Sequence, residues 1–328
     1  MEESGVTYGW IGKPRGGKEM SSMNLNLGSG KFLAALAALV FVATACGSTG
    51  SGTPTASKGT LTVAGFNFPE SSILAEIYGQ ALAHDGYTIS YKLLLGTREV
   101  VAPALESGQI DLYPGYAATD LEFYNKGAGE ANGDPVATTA KLNSHLQPLG
   151  LTALTPSSAV DQNAFAVTTA TQKKYNLTKL SDLAPIGGQL TLGAGPECPT
   201  RPFCQPGLKT TYGINFKAFK PLDTDGPLTR AAFKNGSIDV GLVFSSDGDL
   251  NSLGLVVLQD DKHLENADNV VPVMRQAAAS AEVTRVLNAI DAKLTTADLV
   301  TMNSQVSGEH QDADAVALAW LQQHNYWS

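Results

Sequence analysis

Three cysteines carry the plainest chemistry in this 328-residue chain. Cys46 ends a short apolar run, Lys31 followed by Phe32 to Ala45 (FLAALAALVFVATA), and Gly47 and Ser48 come after it. One basic residue, an apolar stretch and small residues before a cysteine form an export signal whose thiol accepts a diacylglycerol and becomes the new N-terminus. The run is shorter than the roughly 20 apolar residues a membrane-crossing helix takes, so a cleaved signal is the better reading. An ordinary signal peptide ending in the A-x-A-like triplet Ala43-Thr44-Ala45 is the alternative. With Cys46 acylated, the expected location is the outer face of the cytoplasmic membrane. Cys198 and Cys204 remain, six positions apart in a loop stiffened by Pro199, Pro202 and Pro206. An even pair in an exported chain reads as a disulfide, and so small a ring stabilises by roughly 2 kcal/mol.

A catalytic constellation is harder to find. The chain has no G-x-S-x-G, no H-E-x-x-H, no P-loop and no glycine-rich dinucleotide turn. Its histidines, at 84, 145, 263, 310 and 324, fall near helix ends and polar surfaces, and Asp260-Asp261 reads as a surface turn. Neither catalysis nor a cofactor or metal is expected, and a secreted enzyme is the weaker alternative. The formal charge is −9. Residues 1–45 carry four basic and three acidic side chains, so the remainder stands at −10. An acidic chain with no basic block argues against nucleic acid and against direct docking to anionic lipid.

The elements that must position any site follow a regular order. Residues 1–45 are set aside as a leader, with Met20 or Met23 as a plausible start, and the Gly/Ser/Thr/Pro-rich stretch 46–60 reads as a flexible tether. Leu61 to Ala64 reads as a strand. From Glu70 to His84, Ile73, Leu74, Ile77, Tyr78, Ala81 and Leu82 share one helical face, and Gly86 is the stop. Ile89, Tyr91 and Leu93 alternate as in a strand; a helix over Arg98 to Ser107 and a strand over Ile110 to Tyr113 follow. Further on come Phe165 to Val167, a helix over Leu177 to Leu183 and a strand over Leu190 to Leu192. The end is helical over Ala278 to Leu294, Thr296 to Ser307 and Ala313 to His324. This is an α/β order, with ligands expected at strand carboxyl ends. Ala104-Leu-Glu-Ser-Gly-Gln-Ile-Asp-Leu112 also echoes Ala232-Phe-Lys-Asn-Gly-Ser-Ile-Asp-Val240. Two similar units, each presenting a strand end, suggest two lobes across a cleft. The expected lobes are 61–163 plus 269–328 and 164–268, with crossings near Asn163 to Phe165 and Asn269 to Val273.

Aromatic and polar side chains collect at these strand ends and loops: Phe66-Asn67-Phe68, Thr97-Arg98, Tyr113, Tyr116, Thr119, Asn163, Phe165, Arg201 and Phe244. At such positions rings more often pack in a core than face a ligand. Here, however, the chain resembles the ProX/OpuC-type substrate-binding proteins of ABC importers for glycine betaine, carnitine and choline. The resemblance covers residues 60 to 325. It is carried by Asn67-Phe68 with Glu70, Gly96-Thr-Arg-Glu-Val100, Leu105-Glu-Ser-Gly-Gln-Ile-Asp-Leu-Tyr-Pro114, Tyr116, Asn163-Ala-Phe-Ala-Val167, Arg201, Ser246-Asp-Gly248 and Asp268-Asn-Val-Val-Pro-Val273.

What the resemblance implies is a two-lobed, periplasmic-binding-protein-like (type II) α/β fold with two hinge crossings and a ligand cleft. It implies a monomer that hands a quaternary ammonium solute to a permease and its ATPase. Tyr116, Phe244 and Phe165 look like walls of an aromatic cage, with Asn163 beside Phe165, and Thr119 and Arg201 like a carboxylate clamp. Phe66, Asn67 and Arg98 complete the expected site. π-Faces suit a trimethylammonium group, which cannot hydrogen-bond, and a guanidinium suits a carboxylate. Three departures stand out. Phe66 replaces a family lysine, Tyr113-Pro-Gly-Tyr-Ala-Ala-Thr119 stands where Tyr-Pro-Glu-Tyr-Thr-Gly-Thr is common, and Glu265-Asn-Ala-Asp268 lacks an aromatic. They leave a less anionic or more aromatic ligand open as the alternative on the same scaffold.

Overall fold

The computed structural model describes residues 57–326. Cys46, the expected leader and most of the expected tether lie outside them. Strands β1 (Thr60–Phe66), β2 (Thr88–Gly96), β3 (Leu112–Tyr116), β4 (Leu151–Ala153) and, from the far end of the chain, β10 (Val270–Arg275) form one sheet. Its order is β2-β1-β3-β10-β4. Strands β5 (Asn163–Thr168), β6 (Thr191–Ala194), β7 (Ala218–Pro221), β8 (Val240–Phe244) and β9 (Leu255–Leu258) form a second, in the order β7-β6-β8-β5-β9. Each sheet pairs its first three strands in parallel and its last two antiparallel.

The helices are α1 (Pro69–His84), α2 (Arg98–Glu106), α3 (Ala117–Tyr124), α4 (Pro135–Leu146), α5 (Thr169–Tyr175), α6 (Gln205–Tyr212), α7 (Pro227–Lys234), α8 (Ala281–Asp291), α9 (Thr296–Asn303) and α10 (Ala313–Gln323). Among the described residues no helix is long and apolar enough to cross a membrane.

The internal echo has a structural meaning. The matched segments are α2 running into β3 and α7 running into β8, and β3 and β8 are the central strands of the two sheets. Gly108 (φ +75°) and Gly236 (φ +69°) end the two helices in the left-handed region, where a Cβ would be strained. Tyr116 and Phe244, the last residues of β3 and β8, occupy corresponding positions.

Helix α1 buries Ile73, Leu74, Ile77, Tyr78, Ala81 and Leu82, the residues its spacing marked. They join the strands of the first sheet in one core, together with Leu287 of α8, Leu299 of α9 and Trp320 and Leu321 of α10. The chain therefore returns to the first sheet after completing the second. Each buried aliphatic or aromatic side chain contributes about 1.5–3 kcal/mol, which is why this C-terminal return is bound to the first sheet.

Some boundaries differ from the sequence reading. Lys58, inside the expected tether, bonds through its backbone N–H to the Gly86 carbonyl (3.0 Å) and through its ammonium to Glu282, so the tether ends before it. The helix expected over Leu177 to Leu183 does not form: α5 precedes it and ends at Tyr175, and only a short 3-10 turn at Leu180–Leu183 falls in that range. Asn176 breaks the helix in the left-handed region (φ +54°), and Asp182 accepts backbone N–H bonds from Thr178 and Lys179. Helix α9 passes into a π-helical turn at Ser304–Gly308. The crossings between the sheets, at residues 154–162 and 259–269, precede the expected positions and pair with each other at Val160 and Asn269.

Candidate functional site

A cavity opens where the carboxyl ends of β1, β3, β6 and β8 meet, the place where open α/β sheets bind ligands. It holds about 100 Å³ on a scale where one water takes roughly 10–15 Å³, room for a solute of several heavy atoms. From the first sheet's side it is lined by Phe66, Asn67, Phe68, Thr97, Arg98, Tyr116, Thr119, Glu122 and Phe123. The crossings supply Asp161 and Asp268. The second sheet's side supplies Asn163, Gly195, Glu197, the disulfide loop with Arg201 and Phe203, Thr224, Leu242 and Phe244.

All but one of the expected site residues line this cavity. Phe165 does not. It is 1% exposed and belongs to the apolar cluster containing Val167, Leu192, Phe203 and the paired cysteines. Two residues further along β5 than Asn163, it is one step deeper from the strand end, opposite Leu242. Core packing, not a cage wall, is its role here.

The rings form a connected set. Phe66 and Phe68 stack at 5.9 Å, Tyr116 lies 6.5 and 6.1 Å from them, and Phe68 meets Phe244 across the cavity at 4.9 Å. The Tyr116 hydroxyl donates to Glu70 (2.7 Å), which also accepts from Ser246 of the second unit (2.6 Å) and Asn303 (2.6 Å). This buried carboxyl joins the two units behind the rings. Burial pushes Glu70 up, against the three hydrogen bonds, and burial followed by repulsion from Glu70 pushes the nearby Asp161 well up.

Each group expected to clamp a ligand carboxylate holds a carboxylate of this chain. The Thr119 hydroxyl and N–H donate to Asp268, and Arg201 donates through Nε and Nη2 to Glu99 at 2.8 and 3.0 Å. Arg98, 7% exposed, lies 4.7 Å over the Phe66 ring and donates through Nε to Asp120 at 2.5 Å. Gly115 explains one family departure. A Cβ there would stand 2.2 Å from Asp120 Oδ2 and 2.7 Å from Val273, so glycine leaves room for the carboxylate that holds Arg98.

The disulfide is formed, with Cα atoms 5.2 Å apart. It sets Arg201 and Phe203 at the cavity, and the Asn163 amide donates to the Phe203 carbonyl (3.1 Å). Phe68, Phe123, Phe203, Asp161, Glu197 and Asp268 are lining residues that the sequence reading did not name as site. Phe68 was signalled by its place two residues after Phe66, and Phe203 by its place inside the cysteine loop. Phe123, on α3, had no such signal.

The description "Substrate binding domain of ABC-type glycine betaine transport system" matches residues 59–323. The glycine betaine-binding protein YehZ of Escherichia coli (strain K12) is 27% identical over 270 residues, 78% of this chain and 88% of that one. The carnitine transport binding protein OpuCC of Listeria monocytogenes serotype 1/2a (strain 10403S) is 27% identical over 284 residues, 83% of this chain and 89% of its own. Among solved structures, a glycine betaine/carnitine/choline ABC transporter protein superposes with a TM-score of 0.62 at 25% identity, covering 82% of this chain and all of that one. A family match over nearly every described residue, with a solute-sized cavity at the strand ends of both sheets, means that the chain belongs to the substrate-binding domains of ABC-type glycine betaine transport systems.

Proposed function

We propose that this chain is the extracytoplasmic solute receptor of an ABC importer and that its ligand is a quaternary ammonium compatible solute of the glycine betaine, choline or carnitine type. The observation that carries the reading is the ring set Phe66, Phe68, Tyr116 and Phe244 around a cavity whose walls come from both sheets. Each π-face contributes roughly 0.5–2 kcal/mol to a cation that cannot hydrogen-bond. The segments before residue 154 and from 270 onward act as one lobe and 163–258 as the other, with 154–162 and 259–269 as the crossings. Ligand bridges the lobes, and closure is favoured only by as much as the ligand prefers the closed state. Calorimetric titration of the chain in detergent with glycine betaine, choline and carnitine tests this. Binding at micromolar Kd or tighter is expected, and silence from all three would turn the reading toward a different aromatic or zwitterionic ligand on the same scaffold.

The cleft also makes affinity depend on pH. Burial pushes Asp268 up to about 6, against its hydrogen bonds from Thr119 and the charge of Arg98, with Asp120 adding repulsion. Asp161 and Glu265 are the other carboxyls that feel it. A bound cation favours ionised Asp268, so it lowers that pKa and binds more tightly above it. Choline affinity is expected to rise roughly 3- to 10-fold from pH 5 to pH 7. A flat profile would remove Asp268 from the ligand's surroundings.

Anchoring through Cys46 has its own test. Cys46→Ser should abolish incorporation of labelled fatty acid and move the protein from the membrane fraction to the soluble one. Membrane retention of an unlabelled wild-type chain would overturn the anchor.

A further inference from the structure

Granting the ammonium-binding reading above, the charges around the cavity bear on which ammonium ligands it accepts. Two guanidiniums line it, Arg98 and Arg201, against the carboxyls of Glu122, Asp161, Glu197 and Asp268. Arg98 is committed to Asp120, which is fully buried. Arg201 lines both the cavity and the neighbouring groove where Glu99 stands, and presents its Nε–Nη2 edge to both Glu99 oxygens, the bidentate geometry a ligand carboxylate would use. Glu99 also accepts from the Thr97 hydroxyl at 2.7 Å. Against partial burial, the bonds from Arg201 and Thr97 hold it down to about 2, so it is ionised at any working pH. Glu197 is the complement. Its Oε2 is shielded from water and has no hydrogen-bond partner, and Gly195 makes the space for it, since a Cβ there would stand 2.4 Å from Oε1.

We propose that Glu99 is a specificity residue: as an internal carboxylate it fills the Arg201 fork, so the cleft selects a net-cationic ammonium ligand over one carrying its own carboxylate, with Glu197 as the counter-charge. A zwitterion meets an already neutralised guanidinium. To use the Nε–Nη2 edge it must displace Glu99, whose side chain is 44% exposed and can swing to water, and it must leave its carboxylate among the acidic groups of the cleft. A cation such as choline has neither cost.

The test is calorimetric titration of the full chain in detergent with choline and with glycine betaine, for wild type, Glu99→Gln and Glu197→Gln. Wild type is expected to bind choline roughly tenfold or more tightly than glycine betaine, the size of about one charge-assisted contact. Glu99→Gln should tighten glycine betaine about tenfold and weaken choline slightly. Glu197→Gln should weaken choline several-fold more than glycine betaine. Equal affinities in wild type overturn the proposal, and so does a Glu99→Gln variant that shifts both ligands by one factor, the mark of a residue that only helps hold the two units together. If wild type binds neither ligand, the ammonium reading itself fails and the proposal falls with it. Binding without a preference for the cation sinks only the selectivity. Thermal melts of each variant separate these outcomes from misfolding.

Discussion

Asp120→Ala is expected to destabilise the protein by about 3–5 kcal/mol, the cost of leaving a buried guanidinium without its partner. Asp120 is fully buried and accepts three hydrogen bonds: from Arg98 Nε at 2.5 Å, from the Tyr113 hydroxyl at 3.1 Å and from the Tyr116 N–H at 2.9 Å. Burial works against the charge on Arg98, but Asp120 beside it more than offsets this, so the guanidinium stays charged. For a chain of this size the loss corresponds to a fall in Tm of roughly 6–20 °C. Removing both charges does not restore stability fully, because the Tyr113 hydroxyl and Tyr116 N–H still lose their acceptor at about 1–3 kcal/mol each. Chemical denaturation of Asp120→Ala and of the Arg98→Met/Asp120→Ala pair measures both quantities. An alanine variant as stable as wild type would mean that the guanidinium finds water or another carboxylate.

Phe244→Ala is expected to raise the Kd for a quaternary ammonium ligand 30- to 150-fold while leaving the fold intact. The ring closes the cavity from the second sheet and meets Phe68 at 4.9 Å. One cage face together with the apolar area it covers amounts to roughly 2–3 kcal/mol. Phe244 isolates this contribution better than Tyr116 does. Truncating Tyr116 also removes the hydroxyl that donates to Glu70, and so disturbs the buried join between the two units. The backbone N–H of Phe244, bonded to Asp225 at 3.0 Å, is unaffected by the side chain. An affinity within threefold of wild type would show that ligand does not touch this wall.

The two α/β units, the face of α1 and the alternation of β2 were legible in the sequence because they are local. Periodicity at i, i+3 and i+4, or at i and i+2, is written in neighbouring residues. The echo between Ala104–Leu112 and Ala232–Val240 marked the two central strands for the same reason. Tyr116 and Phe244 as facing walls came from the family resemblance and not from the echo. Helix α5 and the turn after it were misread because Asn176 and the Asp182 side chain compete with the backbone there, which apolar spacing does not register.

Side-chain pairing was a different matter. Arg201 and Thr119 look like a clamp for a ligand carboxylate by residue type alone. Only the fold brings Glu99 to the first and Asp268 to the second, from 102 and 149 positions away. Phe165 shows the same limit. Its place at the start of the second unit was readable, but its depth depends on the groups that share its core, among them Leu192, Phe203 and the paired cysteines. The sequence by itself determined the α/β order, the cysteine pair and the set of rings at strand ends, all functions of residue type and short spacing. The tertiary structure alone decided which of those rings and charges face the cavity and which are satisfied by the protein, because burial and ion pairing are set by groups far apart in the chain.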